Sequence, residues 1–296
     1  MKVSVITPFY HGNRYMERYV KCLLMNQKNL PKTEAWEILM VNDSPDDMVN
    51  LPPEAKKLPL RVIERKTNGG IHAARVQGLS EATGDYILFL DQDDVLAADA
   101  IAREIRYIES FASAPDVIVC NAMLEQKDGS ALLWYRSSFQ KKRIGDYRTY
   151  LRVGIQIISP GQCLIRREII PEFWMNKICN VNGADDYFLW LLLLAGNTKF
   201  HLLDEPLYIH TYTGSNVSSD TAQTDASVFS FLPYLREYPK TAEKDVVTLE
   251  KMLRYKAAFR QGDLRCKAKE TLRHPGLFLT NLIFKLRSRT PYGFNR

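Results

Sequence analysis

The stretch GDYILFLDQDDVL, residues 84–96, places three carboxylates directly after an apolar run. The run at 86–90 has the apolar and aromatic character of a buried strand. Asp91, Asp93 and Asp94 follow it at once. Ionised carboxylates about 4 Å apart repel one another by roughly 4 kcal/mol at an effective dielectric constant of about 20, so stability alone does not select this cluster. Because Asp is also common in solvated turns, the rest of the chain has to decide between a turn and a functional site.

The first 125 residues alternate strand-like and helix-like patterns. This alternation predicts an α/β fold with a parallel sheet. In such a sheet the carboxyl ends of the strands meet at one edge, where ligands bind. The predicted strands are 3–7, 36–43, 60–65, 86–90 and 116–121, and the predicted helices are near 16–24, at 70–82 and near 97–112.

Polar residues lie at the ends of four of these predicted strands. They are Thr7 to Tyr10, Asn42 with Asp43, Arg65 with Lys66, and Asp91 to Asp94. Four unrelated solvated loops would have to coincide to give this arrangement by chance. We therefore expect the carboxylates of residues 84–96 to line a ligand cleft.

The pattern is less regular beyond residue 125. The predicted elements there are strands at 130–139, 161–167 and 205–212 and a helix at 185–196. From about residue 222 the spacing is helical, and Pro275 with Gly276 separates a last segment, 277–289. We therefore predict a domain at 1–220, with halves at 1–125 and 126–220, and a helical extension at 221–296.

The composition is that of a globular protein. Of 296 residues, 46% are hydrophobic and 25% are charged, which is ordinary for folded domains. No apolar run approaches the roughly 18 residues that a membrane-spanning helix needs. The start, MKVSVITPFYHG, lacks a small-residue cleavage site and is typical of a first strand, so we expect a cytoplasmic protein. Five scattered cysteines without a C-x-x-C pair indicate reduced thiols.

Positive charge is concentrated at the C-terminus. Residues 251–296 hold 12 Lys and Arg against 2 acidic residues, whereas residues 1–250 hold 28 against 32. The last segment mixes apolar residues with Lys285, Arg287 and Arg289. This pattern is typical of an amphipathic helix on the anionic inner face of a membrane, and equally of a helix packed on its own domain. A nucleic-acid partner is not expected, since stacking aromatics and a known binding motif are missing.

Several stretches together resemble the family 2 glycosyltransferases, in the order in which that family has them. The resemblance implies a GT-A fold, a Rossmann-like and mostly parallel sheet flanked by helices. It also implies inverting transfer of a sugar from a nucleotide sugar, with UDP favoured, to a saccharide or lipid-linked saccharide in cell-surface polysaccharide synthesis. The stretches are VSVITPFYHG (3–12), EILMVNDSPDD (37–47), NGGIHAARVQGLSEATGDYILFLDQDD (68–94), GADD (183–186) and EPLYIHTYTGSNVS (205–218).

By this resemblance, four residues hold the base and ribose of the nucleotide: Pro8, Tyr10, Asp43 and Arg75. Asp43 is expected to accept a hydrogen bond from a uracil-like imide, which suits a carboxylate at the end of a strand. Taken alone, Asp43 is equally typical of an Asx turn, and Arg75 of a surface charge on a helix.

Asp91, Gln92 and Asp93 resemble the D-x-D motif of the family. That motif holds Mn²⁺ or Mg²⁺, hard cations that take oxygen ligands and neutralise a departing diphosphate. The resemblance makes Asp93 the main metal ligand and assigns Asp91 to the ribose or the metal, Gln92 to the nucleotide sugar and Asp94 to support. His210 stands roughly where the family has Arg, as a third metal ligand, a diphosphate contact or a packed strand residue.

Asp186 occupies the place of the family's catalytic aspartate, with Asp185 where Glu is usual. As general base, Asp186 is expected to take the proton of the attacking acceptor hydroxyl. A neighbouring carboxylate raises the pKa of such a base toward neutrality. Alternatively both acids only open a helix, where they suit the dipole. Other departures from the family are Val76, where Asn is frequent, and Tyr212, where His is usual.

Two other functions fit parts of the sequence. YILFLDQDDV also resembles the nucleophile motif of haloacid-dehalogenase-type phosphatases, in which Asp91 is the nucleophile and Asp93 the acid. That motif normally lies on the first strand, whereas here about 85 residues precede it. A non-catalytic, membrane-associated scaffold with a GT-A fold is the other alternative, although Asp93 and Asp186 are both retained as carboxylates.

Overall fold

The computed structural model describes residues 1–31, 35–214 and 220–289. In these ranges the strands are β1 Lys2–Phe9, β2 Ala35–Asn42, β3 Leu60–Glu64, β4 Tyr86–Phe89, β5 Val95–Leu96, β6 Val117–Glu125, β7 Ala131–Leu133, β8 Cys163–Arg166 and β9 Phe200–His210. The helices are α1 Met16–Asn29, α2 Gly70–Glu81, α3 Ala100–Glu109, α4 Ser138–Lys141, α5 Tyr147–Arg152, α6 Glu172–Asn176, α7 Asp185–Ala195, α8 Thr221–Glu237, α9 Glu243–Gln261, α10 Leu264–Arg273 and α11 Pro275–Ser288.

The strands form one mixed sheet in the order β3-β2-β1-β4-β8-β6-β9-β5, with β7 paired to β6. β1 to β4, β6 and β9 run in one direction, and β5, β7 and β8 run in the other. Helices flank this mostly parallel sheet, which confirms the predicted α/β fold. The central strands are apolar on both faces because helices cover both, as parallel sheets require.

The register of the sheet aligns the carboxyl ends of the first strands. β1 pairs with β2 along its whole length, from Lys2 opposite Ala35 to Phe9 opposite Asn42. At the end of the pair the Asp43 N–H donates to the Phe9 carbonyl over 2.8 Å. The polar residues that follow these strands therefore meet at one edge.

The prediction of a single strand at 130–139 is wrong. β7 is only three residues long, and the helix α4 begins at Ser138. The neighbouring Trp134 and Tyr135 are both buried, and both donate a side-chain hydrogen bond to the Gln156 carbonyl, over 2.8 and 3.1 Å. Two consecutive side chains directed to one acceptor break the alternation that a strand needs.

Two other strands are present with different bounds. β8 begins at Cys163 because a 3-10 turn, residues 160–162, occupies the start of the predicted segment, and the Ser159 hydroxyl caps this turn. β9 begins at Phe200, five residues before the predicted start, and pairs in parallel with β6. Since β6 and β9 lie in the two predicted halves, one sheet joins these halves.

The C-terminal helices pack on the second half of the chain. α8 contacts α7, α9 contacts α5 and α8, and α11 contacts α4 and α5. The predicted last segment is helical as far as Ser288, and residues 290–296 lie outside the described residues. α8 begins at Thr221, next to the predicted boundary at residue 220. The division of the chain at this boundary stays a prediction.

Within 1–31, 35–214 and 220–289, none of the helices combines the length and the apolar character needed to cross a membrane. All five cysteines are free thiols, as predicted, and four of them are buried.

Candidate active site

A cleft of about 590 Å³ lies at the carboxyl edge of the sheet. All ten predicted site residues line it, and they come from widely separated parts of the chain. They are Pro8, Tyr10, Asp43, Arg75, Asp91, Gln92, Asp93, Asp185, Asp186 and His210. Parallel strands bring them together, as expected for an α/β sheet. What each of them binds stays a prediction.

Asp43 holds the loop that leads into α2. Its two carboxylate oxygens accept the backbone N–H groups of Gly69 and Gly70, over 2.9 and 2.8 Å, and one oxygen lies 2.8 Å from Arg65 Nε. The Asx-type contact expected of Asp43 belongs instead to Asn42, whose side-chain oxygen accepts the Ser44 N–H over 2.9 Å. Asp43 is buried at the cleft wall, and its second oxygen, which accepts the Gly70 N–H, has a further lone pair that could serve a ligand.

Gly70 lies at the end of this loop, as the first residue of α2, and its backbone conformation requires glycine. Its φ is +84°, and a Cβ there would lie 2.5 Å from the side-chain oxygen of Asn182. That Asn182 oxygen accepts the Ile71 N–H over 3.1 Å. The start of α2 is therefore tied to the segment before α7, which carries Asp185 and Asp186.

Gln92 pairs with the backbone at the end of β1. Its amide oxygen accepts the Tyr10 N–H and its amide nitrogen donates to the Tyr10 carbonyl, both over 3.0 Å. The side chain of Tyr10 itself is 54% exposed at the cleft. Gln92 thus fixes the loop that presents Tyr10, in addition to the nucleotide contact predicted for it.

Arg75 joins the two groups of carboxylates. Its guanidinium lies 2.6 Å from an Asp91 oxygen and 2.8 Å from an Asp185 oxygen, and the side chain is buried. Burial alone would lower the pKa of Arg75, but the carboxylates of Asp185 and Asp91 raise it above its ordinary value. Arg75 is therefore a buried bridge across the cleft and not a surface charge.

Asp94 and Asp93 have different surroundings, although they are adjacent. Asp94 is buried, accepts the Tyr208 hydroxyl and the Thr211 N–H, and lies 3.3 Å from His210 Nδ1. It anchors the end of β9, which matches its predicted supporting role. Asp93 lines the open cleft, and burial together with the charges of Asp94 and Asp91 raises its pKa to about 7. A positive charge beside Asp93 would relieve this repulsion.

The donor chemistry fits a divalent cation only in part. In the described part of the chain, no group of three or more His, Cys, Asp or Glu side chains converges in a way that could hold a metal ion. Mg²⁺ and similar cations are, however, commonly held by one or two carboxylates together with substrate phosphates and water. Asp93 and Asp91 provide such carboxylates at the cleft, whereas His210 contacts Asp94.

Asp185 and Asp186 open α7 and also line the cleft. Their position at the helix start is thus compatible with both interpretations, and the role of general base stays a prediction. An Asp186 oxygen accepts the Tyr187 N–H over 2.7 Å at the helix start, and the Asp185 carbonyl accepts Trp174 Nε1 over 3.0 Å. Burial and the neighbouring Asp185 carboxylate raise the pKa of Asp186 to about 7, against the opposing effect of Arg75. A carboxylate with this pKa can accept a proton near neutral pH.

The sequence reasoning missed two residues of this region. Asn182 lines the cleft and binds the start of α2. Arg18, on α1, donates to the Asp93 carbonyl and, over 3.2 Å, to the Thr211 hydroxyl. It joins the loop after β4 to the end of β9. Neither residue belongs to a recognisable motif, because both act on segments distant in the sequence.

The sequence profile named glycosyl transferase family 2 matches residues 4–174 of the chain. The minor teichoic acid biosynthesis protein GgaB of Bacillus subtilis is 29% identical over 69% of this chain. The uncharacterized glycosyltransferase YwdF of the same organism is 29% identical over 74% of this chain and 78% of its own length. The chain spans 22% of GgaB and 40% of an uncharacterized glycosyltransferase of Rickettsia felis.

Solved structures share the fold. Residues 1–349 of Staphylococcus aureus TarS in complex with UDP-GlcNAc superpose with a TM-score of 0.62 at 18% identity, over 97% of this chain and 82% of that one. The mannosyltransferase PcManGT of Pyrobaculum calidifontis, in complex with GDP-Man and Mn²⁺, gives 0.53 at 14% identity, over 96% and 80%. These similarities confirm the GT-A fold. Because the family profile also covers more than half of the chain, the protein belongs to glycosyl transferase family 2.

Proposed function

We propose that the chain is an inverting, metal-dependent glycosyltransferase that takes its sugar from a UDP-sugar. One observation carries the proposal. The carboxylate cluster after β4 and Asp186 at the start of α7 line one cleft, and Arg75 joins Asp91 of the cluster to Asp185, the neighbour of Asp186. One site would thus offer both carboxylates for a cation at the nucleotide diphosphate and a general base for the acceptor hydroxyl.

The donor assignment draws on relatives. TarS is named a poly(ribitol-phosphate) beta-N-acetylglucosaminyltransferase, is 32% identical over 38% of this chain, and binds UDP-GlcNAc in a solved structure. In this chain, Asp43 and the exposed Tyr10 line the cleft, and we assign the base and ribose to them. Bound Mn²⁺ or Mg²⁺ would supply charge that stabilises the leaving diphosphate, with Asp93 as main ligand and Asp91 and His210 as further candidates.

The chemical step assigns a proton to Asp186. The acceptor hydroxyl oxygen attacks C1 of the sugar as the bond from C1 to the diphosphate oxygen breaks, and the configuration at C1 inverts. The hydroxyl proton moves to the Asp186 carboxylate, whose pKa of about 7 suits this transfer. Arg75 pairs with Asp185 beside the base, since its guanidinium lies 2.8 Å from the Asp185 carboxylate.

The proposed acceptor is a saccharide or lipid-linked saccharide of the cell surface. The names of GgaB and TarS place both relatives in the synthesis or modification of teichoic-acid-type polymers.

We also propose peripheral contact with an anionic membrane through α11. Asn281, Phe284 and Ser288 face inward, and Asn281 Nδ2 donates to the Arg152 carbonyl over 3.2 Å. An outer stripe at i, i+4 and i+7 stays exposed, with Leu279 at 54%, Ile283 at 41% and Leu286 at 69%. An apolar stripe flanked by Lys285 and Arg287 suits an anionic lipid surface. Packing on the domain and contact with lipid therefore use opposite faces of one helix.

Thermal unfolding with nucleotide sugars tests the donor and the cation together. UDP, UDP-GlcNAc, UDP-glucose and GDP-mannose are each added with and without Mn²⁺, since a ligand that binds the folded state raises Tm. We expect a UDP-sugar to raise Tm more strongly with Mn²⁺, and Asp93→Asn to lose the increment due to Mn²⁺. The control is Asp46→Asn, an exposed carboxylate outside the cleft.

Three outcomes would contradict the proposal. Absence of any shift with nucleotide sugars would remove the donor site. An undiminished Mn²⁺ increment in Asp93→Asn would remove Asp93 as the ligand. Donor binding without transfer of the sugar to water or to any acceptor, and hence without release of UDP, would favour the scaffold alternative.

A further inference from the structure

A second cavity, of about 190 Å³, adjoins the cleft on the far side of Asp186. It lies between the start of α7 and the C-terminal helices α8, α9 and α11. Asp186, Gly183 and Ile158 line both spaces, so the proposed base stands on their common boundary. We call this second space the C-terminal cavity.

The walls of the C-terminal cavity are mainly apolar. Side chains from six described segments meet there, among them Trp134, Tyr187, Val228, Met252 and Phe284. A concave, mostly apolar space with a few polar groups is the usual form of a small-molecule site. Apolar and aromatic walls also suit the C–H faces of a sugar or polyol.

Among the described residues, more cations than carboxylates line this cavity, whereas more carboxylates than cations line the cleft. Three cations, Lys256, Arg260 and Lys285, line it against two carboxylates, Asp186 and Asp225. Arg260 and Asp225 form an ion pair with each other. Excess positive charge at the side of the base favours an anionic ligand.

Lys256 is the most unusual of these groups because it is buried. Only 6% of it is exposed, and its ammonium donates to the Val153 carbonyl over 2.5 Å. Burial and the nearby Arg260 lower the pKa of Lys256 to about 7. A bound anion would stabilise the charged form of Lys256.

We propose that the C-terminal cavity receives the acceptor, and that Lys256 binds a phosphate or phosphodiester group of that acceptor. This inference rests on the proposed function, since it takes Asp186 as the base. An inverting displacement needs the acceptor oxygen to approach C1 opposite the leaving group, and the cavity lies across Asp186 from the carboxylates assigned to the diphosphate. Lys256 is a binding residue and takes no part in the chemical step.

The test compares anionic and neutral acceptors with the donor that the thermal screen identifies. The anionic probes are a ribitol phosphate oligomer and a short-chain prenyl diphosphate linked to N-acetylglucosamine, which separate a polymer phosphate from a lipid diphosphate. The neutral probes are ribitol and the same saccharide without the prenyl diphosphate. Hydrolysis of the donor by water is recorded as well, because it reports the donor site without any acceptor.

We expect the wild-type protein to use one anionic probe in preference to its neutral counterpart. Lys256→Met should raise KM for that probe by about 10- to 100-fold, with kcat changed little, because a charge-assisted hydrogen bond is lost. Lys256→Arg should recover part of the affinity. Lys251→Met, an exposed lysine on the same helix, serves as the matched control. If Lys256→Met does not fold, Lys256→Gln replaces it.

Each result is decisive. An unchanged KM in both neutral Lys256 variants, equal use of anionic and neutral probes, or donor hydrolysis without transfer to either anionic probe would overturn the inference while the proposed function stands. If neither donor binding nor donor hydrolysis occurs, the proposed function itself fails.

Discussion

The two spaces on either side of Asp186 differ in size, charge and origin. The cleft holds about 590 Å³ and is lined by six carboxylates, whereas the C-terminal cavity holds about 190 Å³ and has more cations than carboxylates. The cleft is built from residues that precede 214, and α8, α9 and α11 supply much of the cavity. The acidic side suits a cation with a diphosphate, and the basic side suits an anion. A base on this boundary can serve two ligands of different charge.

The largest expected effect is that of Asp186→Asn, which removes the boundary group without changing its size. Loss of a general base lowers the rate by about 10²- to 10⁴-fold. We expect kcat to fall by this amount while the affinity for the UDP-sugar, measured by calorimetry, changes little. Asp46→Asn is the matched control. Wild-type turnover of Asp186→Asn would remove this residue from the mechanism and leave the two spaces without a common function.

A smaller and graded effect is expected from pH. The folded protein holds the pKa of Asp186 at about 7, above the ordinary value of 3.8, and only the ionised form can accept a proton. The rate of transfer at saturating acceptor, as kcat, should therefore fall about tenfold for each pH unit below 7 and level off above it, since a bound anion would keep Lys256 charged. Saturating Mn²⁺ is added because a cation bound at Asp93 would keep its carboxylate ionised during this measurement. A flat profile between pH 5 and 8 would contradict the role of Asp186, and so would the same profile in Asp186→Asn.

The smallest effect concerns the outer face of α11, a helix that lines the C-terminal cavity with its other side. Replacing Leu279, Ile283 and Leu286 with Ser removes the exposed apolar stripe and leaves the inward face unchanged. We expect sedimentation with anionic liposomes to fall several-fold, with little change in Tm or in transfer to a soluble acceptor. Leu264→Ser on α10, which is 84% exposed, is the control. Undiminished liposome binding would mean that α11 only packs on the domain.

The first half of the fold was predictable because its signals are local. The alternation of apolar strands with helices up to residue 121 predicted the parallel sheet, and the polar residues after each strand predicted the cleft. The motif around Asp91 and the pair at Asp185 depended on a family resemblance. The family match over residues 4–174 confirms the family and includes the motif around Asp91, but the pair at Asp185 lies outside it. What each site residue binds is still untested.

Contacts between distant segments were not predictable. Nothing local in the sequence indicates that Arg75 bridges Asp91 and Asp185, or that Gln92 pairs with the backbone of Tyr10. Each of these pairs joins residues brought together only by the tertiary fold. The C-terminal cavity was missed for the same reason, since it forms where helices far apart in the sequence pack against α7.

The separate origin of the two spaces has a consequence for how such a chain diversifies. Exchange of residues 220–289 with those of another family member would replace much of the lining of the C-terminal cavity, and no residue that lines the cleft would change. Recombination at a single point near the start of α8 would thus combine the donor site of one enzyme with the acceptor site of another. Specificity for the two substrates could then be inherited independently.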